Sequence, residues 1–286
     1  MAIYSNTLSQ LVEKTARLFL KDFWSGTATS AGSTTTIIDS ARFEEEDFFN
    51  SLPYAEIYVN SSTRKITDFA NSTGTITFSP ALSASTEVGD TYSVHSRYKR
   101  AEIVDAINMA IEEVAEEALF WDTNETVELV TSTYQYDLPT DFMYIWRVTM
   151  AGADGTFYDP SIPQNQYYII PGGTPKLAFY ATNSNLQPSD WSYTQNTFGI
   201  VDGRALRIEG LVSPDTLSLD TDVCPISPNF LGLQAAAYLT AAAAMEGKND
   251  SEALMAYSKI LQSRADIERQ KTILMDKPMN LKRVRE

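Results

Sequence analysis

The chain has 286 residues, with 22 Lys and Arg against 37 Asp and Glu and a formal net charge of −15. That balance excludes a general nucleic-acid binder, because phosphate affinity comes mostly from Lys and Arg. A single Cys and a single His exclude a disulfide framework, a cysteine-rich metal site and the common histidine metal constellations, while 43% hydrophobic residues over this length fit roughly two folded domains of ~150 residues or one large one.

The start, Met1-Ala2-Ile3-Tyr4-Ser5-Asn6, lacks a basic segment followed by an apolar one, so no signal peptide is expected. Leu8, Leu11, Val12, Ala16, Phe19 and Leu20 then fall on one face of a helix over Thr7 to Phe23, with Asn6 or Thr7 as N-cap. The small-residue run Gly26 to Thr36 cannot stay helical. From Thr36 to Val94 the vocabulary is β: residues 36–39, 55–59, 75–78 and 90–94 are short β-branched and aromatic runs divided by turn residues. Four or five strands in that span predict a small antiparallel barrel or sandwich.

Helix returns over Arg100 to Trp121, where Ile103, Val104, Ile107, Ile111, Val114, Ala118 and Leu119 make one stripe and Glu112, Glu113, Glu116 and Glu117 load the other side. A second β region is expected at 126–131, 134–138, 143–150, 176–181, 198–200 and 205–208, with loops rich in Pro, Gly, Asn and Ser. Two helices close the pattern, about Ser227 to Glu246 and Ser251 to Met275. Leu231 to Met245 is mostly alanine and, at about 15 residues, falls short of a bilayer span of ~20; a soluble protein of a reducing compartment is expected.

The expected fold class is therefore α+β: a helical bundle of residues 1–25, 100–121 and 227–275, with Ile103, Ile107, Ile111 and Val114 in its core. From it emerge two β-rich insertions, 26–99 and 122–226, because no single helix buries its stripe alone. Residues 276–286, interrupted by Pro278, read as a flexible basic arm carrying Lys277, Lys282, Arg283 and Arg285. Residues 248–286 sum to +3, leaving −18 on the rest, which outlines a docking tail on an acidic body.

Candidate chemistry is thin. His95 follows a β run without a nucleophile motif or an orienting carboxylate beside it, so a structural or surface role is favoured. Glu44-Glu45-Glu46-Asp47 lacks the interspersed glycines of a metal loop and reads as a solvated face. Asp220-Thr221-Asp222 is a weak carboxylate pair, and Cys224 has no basic neighbour to activate it. Pro171-Gly172-Gly173-Thr174-Pro175 is a turn, since no phosphate-loop spacing occurs. The alanines of 235–237 and 241–244 suit either ordinary core packing or close helix and subunit contacts. No cofactor and no metal site are expected.

Four stretches carry a resemblance: Gly74-Thr75-Ile76-Thr77-Phe78 with Thr86-Glu87-Val88-Gly89-Asp90-Thr91-Tyr92; the helix Glu102 to Ile111; the strand-ending turn Tyr136-Asp137-Leu138-Pro139; and the paired C-terminal helices with their basic tail. Over roughly residues 1–150 and 227–286 this arrangement resembles the head-to-tail connector (adaptor or neck) proteins of tailed bacteriophages. The resemblance implies a non-enzymatic virion protein, made in the host cytoplasm. It further implies assembly as a ring, commonly of twelve subunits, under the portal protein, with tail or nozzle proteins attached and DNA passing without sequence-specific binding. The C-terminal arm would then dock on the portal. A receptor- or carbohydrate-binding virion protein, using the 15 Tyr and 4 Trp, is the alternative, and a glycoside hydrolase with paired carboxylates is a third.

Overall fold

The structure is a computed structural model that describes residues 4–42, 44–52, 54–130, 133–139, 142–159, 161–179, 202–246, 250–272 and 281–284. It divides into two compact units: Met1–Val114 with Asp215–Ile273, and Ala115–Pro214 with Leu274–Glu286.

The first unit opens with β1 (Asn6–Thr7) and α1 (Leu8–Lys14). Thr7 and Gln10 form a reciprocal cap, the Thr7 hydroxyl accepting from Gln10 N and the Gln10 side chain accepting from Thr7 N. The helix widens to a π segment over Thr15–Leu20 and stops at Lys21, which adopts φ 52°. Then come β2 (Trp24–Thr27), β3 (Thr36–Ile38), a 3-10 turn at Phe48–Ser51, β4 (Glu56–Val59), β5 (Ser62–Ala70), β6 (Thr75–Ser79) and β7 (Thr91–His95). They form one antiparallel sheet in the order β2-β7-β4-β5-β6-β3, curled into a half-barrel. The bridge from Ser30 to Ile38 and the bond from Thr29 N to Ile38 O draw the two edges toward each other. Alternation builds its core. In β6, Ile76 and Phe78 are buried and the flanking threonines are not. In β5, Ile66 and Phe69 both face inward although three positions apart, and a bulge between Ile66 and Asp68 reconciles them.

After α2 (Arg100–Val114) the chain enters the second unit. Its strands are β8 (Phe120–Glu128), β9 (Gln135–Asp137), β10 (Phe142–Met150), β11 (Tyr167–Ile170), β12 (Lys176–Phe179) and β13 (Ala205–Val212). Back in the first unit, β14 (Val223–Cys224) pairs with β1 and leads into α3 (Pro228–Met245) and α4 (Ser251–Thr272); β15 (Lys282–Arg283) belongs to the second unit. The second unit has two sheets, β15-β10-β13-β8 and β11-β12-β9. They share one core in which Phe142, Ile145, Val148 and Ile208 meet Tyr136, Tyr167, Leu177 and Phe179.

The expectation of a helical bundle with two β-rich insertions is overturned. Among the described residues there are four α-helices against fifteen strands, and the chain is mostly β-rich. The reason is that the β segments do not depend on the helices for burial. The half-barrel closes its own cluster around Phe49, Phe69 and Phe78, and the second unit closes another. The helices make a small layer in which α2 and α4 both pack on α3. Nearly every face of α3 is buried, Phe230 through Ala237 among them. Small side chains permit the close approach: a Cβ on Gly232 would sit 2.6 Å from the Phe19 ring. The central helix also ends at Val114 instead of Trp121, and Phe120 and Trp121 open β8.

Two pairs of contacts mark where the chain leaves and re-enters the first unit. Asn108 of α2 holds the backbone of Leu217 from both sides, donating to its carbonyl at 3.0 Å and accepting from its N–H at 2.8 Å. Within the second unit, Ser213 Oγ donates to the carbonyl of Ala115 at 3.1 Å.

Candidate functional site

The C-terminal basic segment is seated, not free. Lys282 and Arg283 form β15 antiparallel to β10, opposite Ile145 and Tyr144, and Val284 N donates to Met143 O at 2.9 Å. Period-two alternation places Lys282 and Val284 on one face and leaves Arg283 exposed. The Lys282 ammonium donates to the carbonyls of Gln164 and Tyr167 and lies 4.0 Å from the Tyr167 ring centroid. Burial holds its pKa below the ordinary lysine value. Val284 is fully buried within the core of the second unit. The expected flexible arm is thus corrected for residues 282–284, which are paired in the sheet: an unpaired β10 edge and an open aliphatic slot are better filled than left to water. Lys277 and Arg285 lie outside the described residues.

Ile103, Ile107, Ile111 and Val114 are all buried in α2, which packs on α1 and α3. The start of α2 is anchored by two carboxylates of the half-barrel side. Asp22 accepts from the backbone N–H groups of Ser96, Arg97 and Tyr98. Glu56 accepts from Arg100 N at 2.6 Å, and burial raises its pKa despite that bond. The Arg100 guanidinium stacks 3.9 Å over the Tyr58 ring and pairs with Asp220, to which the Tyr58 hydroxyl also donates. Burial, then the Asp220 bond, raises the pKa of Tyr58. These groups border a polar cleft of about 680 Å³ with Glu13, Asn60 and Ser93 on its walls. No local sequence pattern announces this cluster, because Tyr58, Arg100 and Asp220 are separated by 42 to 162 positions; the only hint was the unexplained pair Asp220 and Asp222.

The structure places the remaining candidates as follows. His95 is fully buried, edge-on to Phe23 with centroids 5.5 Å apart, and burial pushes its pKa down to about 4. Its Nε2 meets Ser93 Oγ at 3.3 Å, but its Nδ1 meets no carboxylate, so the pair lacks the third member that would orient it. The acidic run points to different partners: Glu44 to Arg42, Glu46 to Asn71 N and Asp47 to Asn50. Asp222 accepts from Ser218 N and Leu219 N. Cys224 is buried in β14 and its thiol pKa is pushed up to about 11. Residues 171–175 connect β11 to β12 as a hairpin loop. Trp24, which a sugar platform would present flat, packs edge-on against Phe48 and Phe49. Among the described residues no group of three or more His, Cys, Asp or Glu is placed to hold a metal, and no helix is long and apolar enough to cross a membrane.

The charged groups beside the polar cleft bind one another, and residues 282–284 are held in their own sheet. Residues 81–280, from just before β7 through α4, match the family model described as SU10 adaptor protein. The match covers more than two thirds of the chain, and the chain belongs to that family, a structural adaptor family of bacteriophages. No curated protein matches it.

Proposed function

We propose that the chain is a head-to-tail adaptor subunit that forms a ring, of twelve copies, beneath the portal of a tailed phage. The single observation that carries this reading is the family membership over residues 81–280. Tail or nozzle proteins attach on the far side and DNA passes through without sequence-specific binding. The net charge of −15 supports that passage, since an acidic wall repels phosphates. The role is structural, with no catalytic step and no cofactor, and the subunit is made in the host cytoplasm before it joins the virion.

The basic C-terminal segment, with Lys277, Lys282, Arg283 and Arg285, serves in this reading as the portal-docking element, and β15 leaves the β10 edge when the portal is engaged. Negative-stain images and native mass spectrometry of the full chain, alone and with purified portal, test the proposal. A closed ring on the portal is expected. Strictly monomeric protein under both conditions overturns it.

A further inference from the structure

Two outward helix faces of the first unit carry opposite chemistry. On α4, Ala253, Ala256, Ile260, Ser263 and Ile267 recur at intervals of three and four and are exposed, whereas Ser258, Leu261 and Ala265 on the opposite side are buried. Ile260 and Ile267, one heptad apart, are 51% and 54% exposed. Lys259 and Arg264 flank Ile260, and the stretch Tyr257 to Arg264 contains no acid; Glu252 and Asp266 lie beyond it. On α2, Glu102, Asp105 and Glu112 are exposed around Met109, itself 54% exposed.

Both helices pack on α3 and leave these two surfaces to solvent. We propose that the outward face of α4 in one copy seats on the outward face of α2 in the next, with Ile260 packed on Met109 and Lys259 and Arg264 set against Asp105 and Glu112. This rests on the ring reading and names its interface. Around the two apolar centres charge favours the mixed pairing: with Ile260 against Ile260 the cations Lys259 and Arg264 meet their own copies, and with Met109 against Met109 the carboxylates of α2 do, whereas Ile260 on Met109 sets cations against carboxylates. The contact joins two different patches, which is the arrangement that generates rings when the rotation closes. The aliphatic centre supplies the affinity and the charged rim the register.

Cysteine cross-linking of full-length protein tests the interface. The native Cys224 is 1% exposed and contributes no background. Met109→Cys and Ile260→Cys, both at exposed positions, are prepared separately, mixed and treated with a mild oxidant. The expected product is a disulfide dimer containing one copy of each variant, in excess over dimers of either variant alone. In parallel, the Ile260→Asp, Ile267→Asp double variant should lose the ring while keeping the wild-type circular dichroism spectrum. Predominant Ile260→Cys homodimers overturn the proposal, as does the absence of a mixed cross-link when the two variants assemble together into rings; neither outcome touches the adaptor reading. Wild-type protein that remains monomeric with and without portal defeats the ring itself, and the interface with it.

Discussion

Asp22 and Ser96 lie 74 positions apart and are tied together twice, through the Ser96 hydroxyl at 2.6 Å and its backbone N–H at 3.1 and 3.2 Å to the two carboxylate oxygens. With the N–H groups of Arg97 and Tyr98 added, one buried carboxylate gathers the end of β7 and the approach to α2. Asp22→Ala leaves these donors unpaired in a buried site and is expected to cost about 3 kcal/mol, because bonds to charged groups are the strong ones and orphaned donors keep their desolvation cost. A urea midpoint within error of the wild type would contradict this.

His95 links stability to pH. Its folded pKa is about 4 and its ordinary value 6.5, so between those values the unfolded chain binds the extra proton. The contribution of this buried neutral ring is intact above pH 6.5 and is lost as the pH falls toward 4, by up to about 3 kcal/mol. His95→Gln should flatten that part of the profile. Equal slopes for both proteins in denaturation series at pH 7, 6, 5 and 4.5 would assign the acid sensitivity elsewhere.

The α2 stripe separates core from surface within one helix. Ile107→Ala and Ile111→Ala each remove a fully buried side chain against α1 and α3 and should destabilise by about 2–5 kcal/mol. Glu112→Gln, on the exposed side, should change the midpoint little. Calorimetry of the three variants reads the contrast directly.

Val284 holds β15 in place. Val284→Asp puts a charge into the apolar slot and should release the strand. Trypsin requires an extended, accessible chain at Lys282 and Arg283, so the variant should be cut there well before the wild type under native conditions, as mass spectrometry of the fragments would record. Identical cleavage rates would mean that β15 does not protect the bonds it contains.

Where local pattern decides structure, the chain is readable. The stripe of α2, the caps of α1, the alanine helix and the strands at 36–38, 56–59, 75–79 and 91–95 follow from periodicity and turn residues. The longest strand of the half-barrel, β5, was hidden because Ser62-Thr63-Arg64-Lys65 reads as polar loop and the bulge at Ile66 breaks its alternation. Tyr167–Ile170 was hidden inside a loop-rich stretch. The larger misreading was architectural. Amphipathic stripes show that a helix must be covered but not by what, and they cannot reveal that Phe49, Phe69 and Phe78 close a separate core. The cluster of Tyr58, Arg100 and Asp220 is equally invisible, being made by tertiary pairing alone. The seating of Lys282 and Val284 depends on a vacant edge 137 or more positions away, which composition cannot register.

The two ties at the chain crossings bear on how the molecule folds. α2 meets α3 only after more than a hundred intervening residues, as the bond from Gln234 to Glu113 shows. Closing so long a flexible loop costs about 4 kcal/mol in chain entropy before any contact rewards it. The bond from Ser213 to Ala115 brings the two ends of the intervening stretch together within its own unit. Once that unit has folded, the loop joining α2 to the chain ahead of α3 is only a few residues long, and the Asn108 clasp on Leu217 can form as a local event. The inserted unit thereby acts as an internal template, raising the effective concentration of one half of its host for the other and lowering the kinetic barrier of a discontinuous topology.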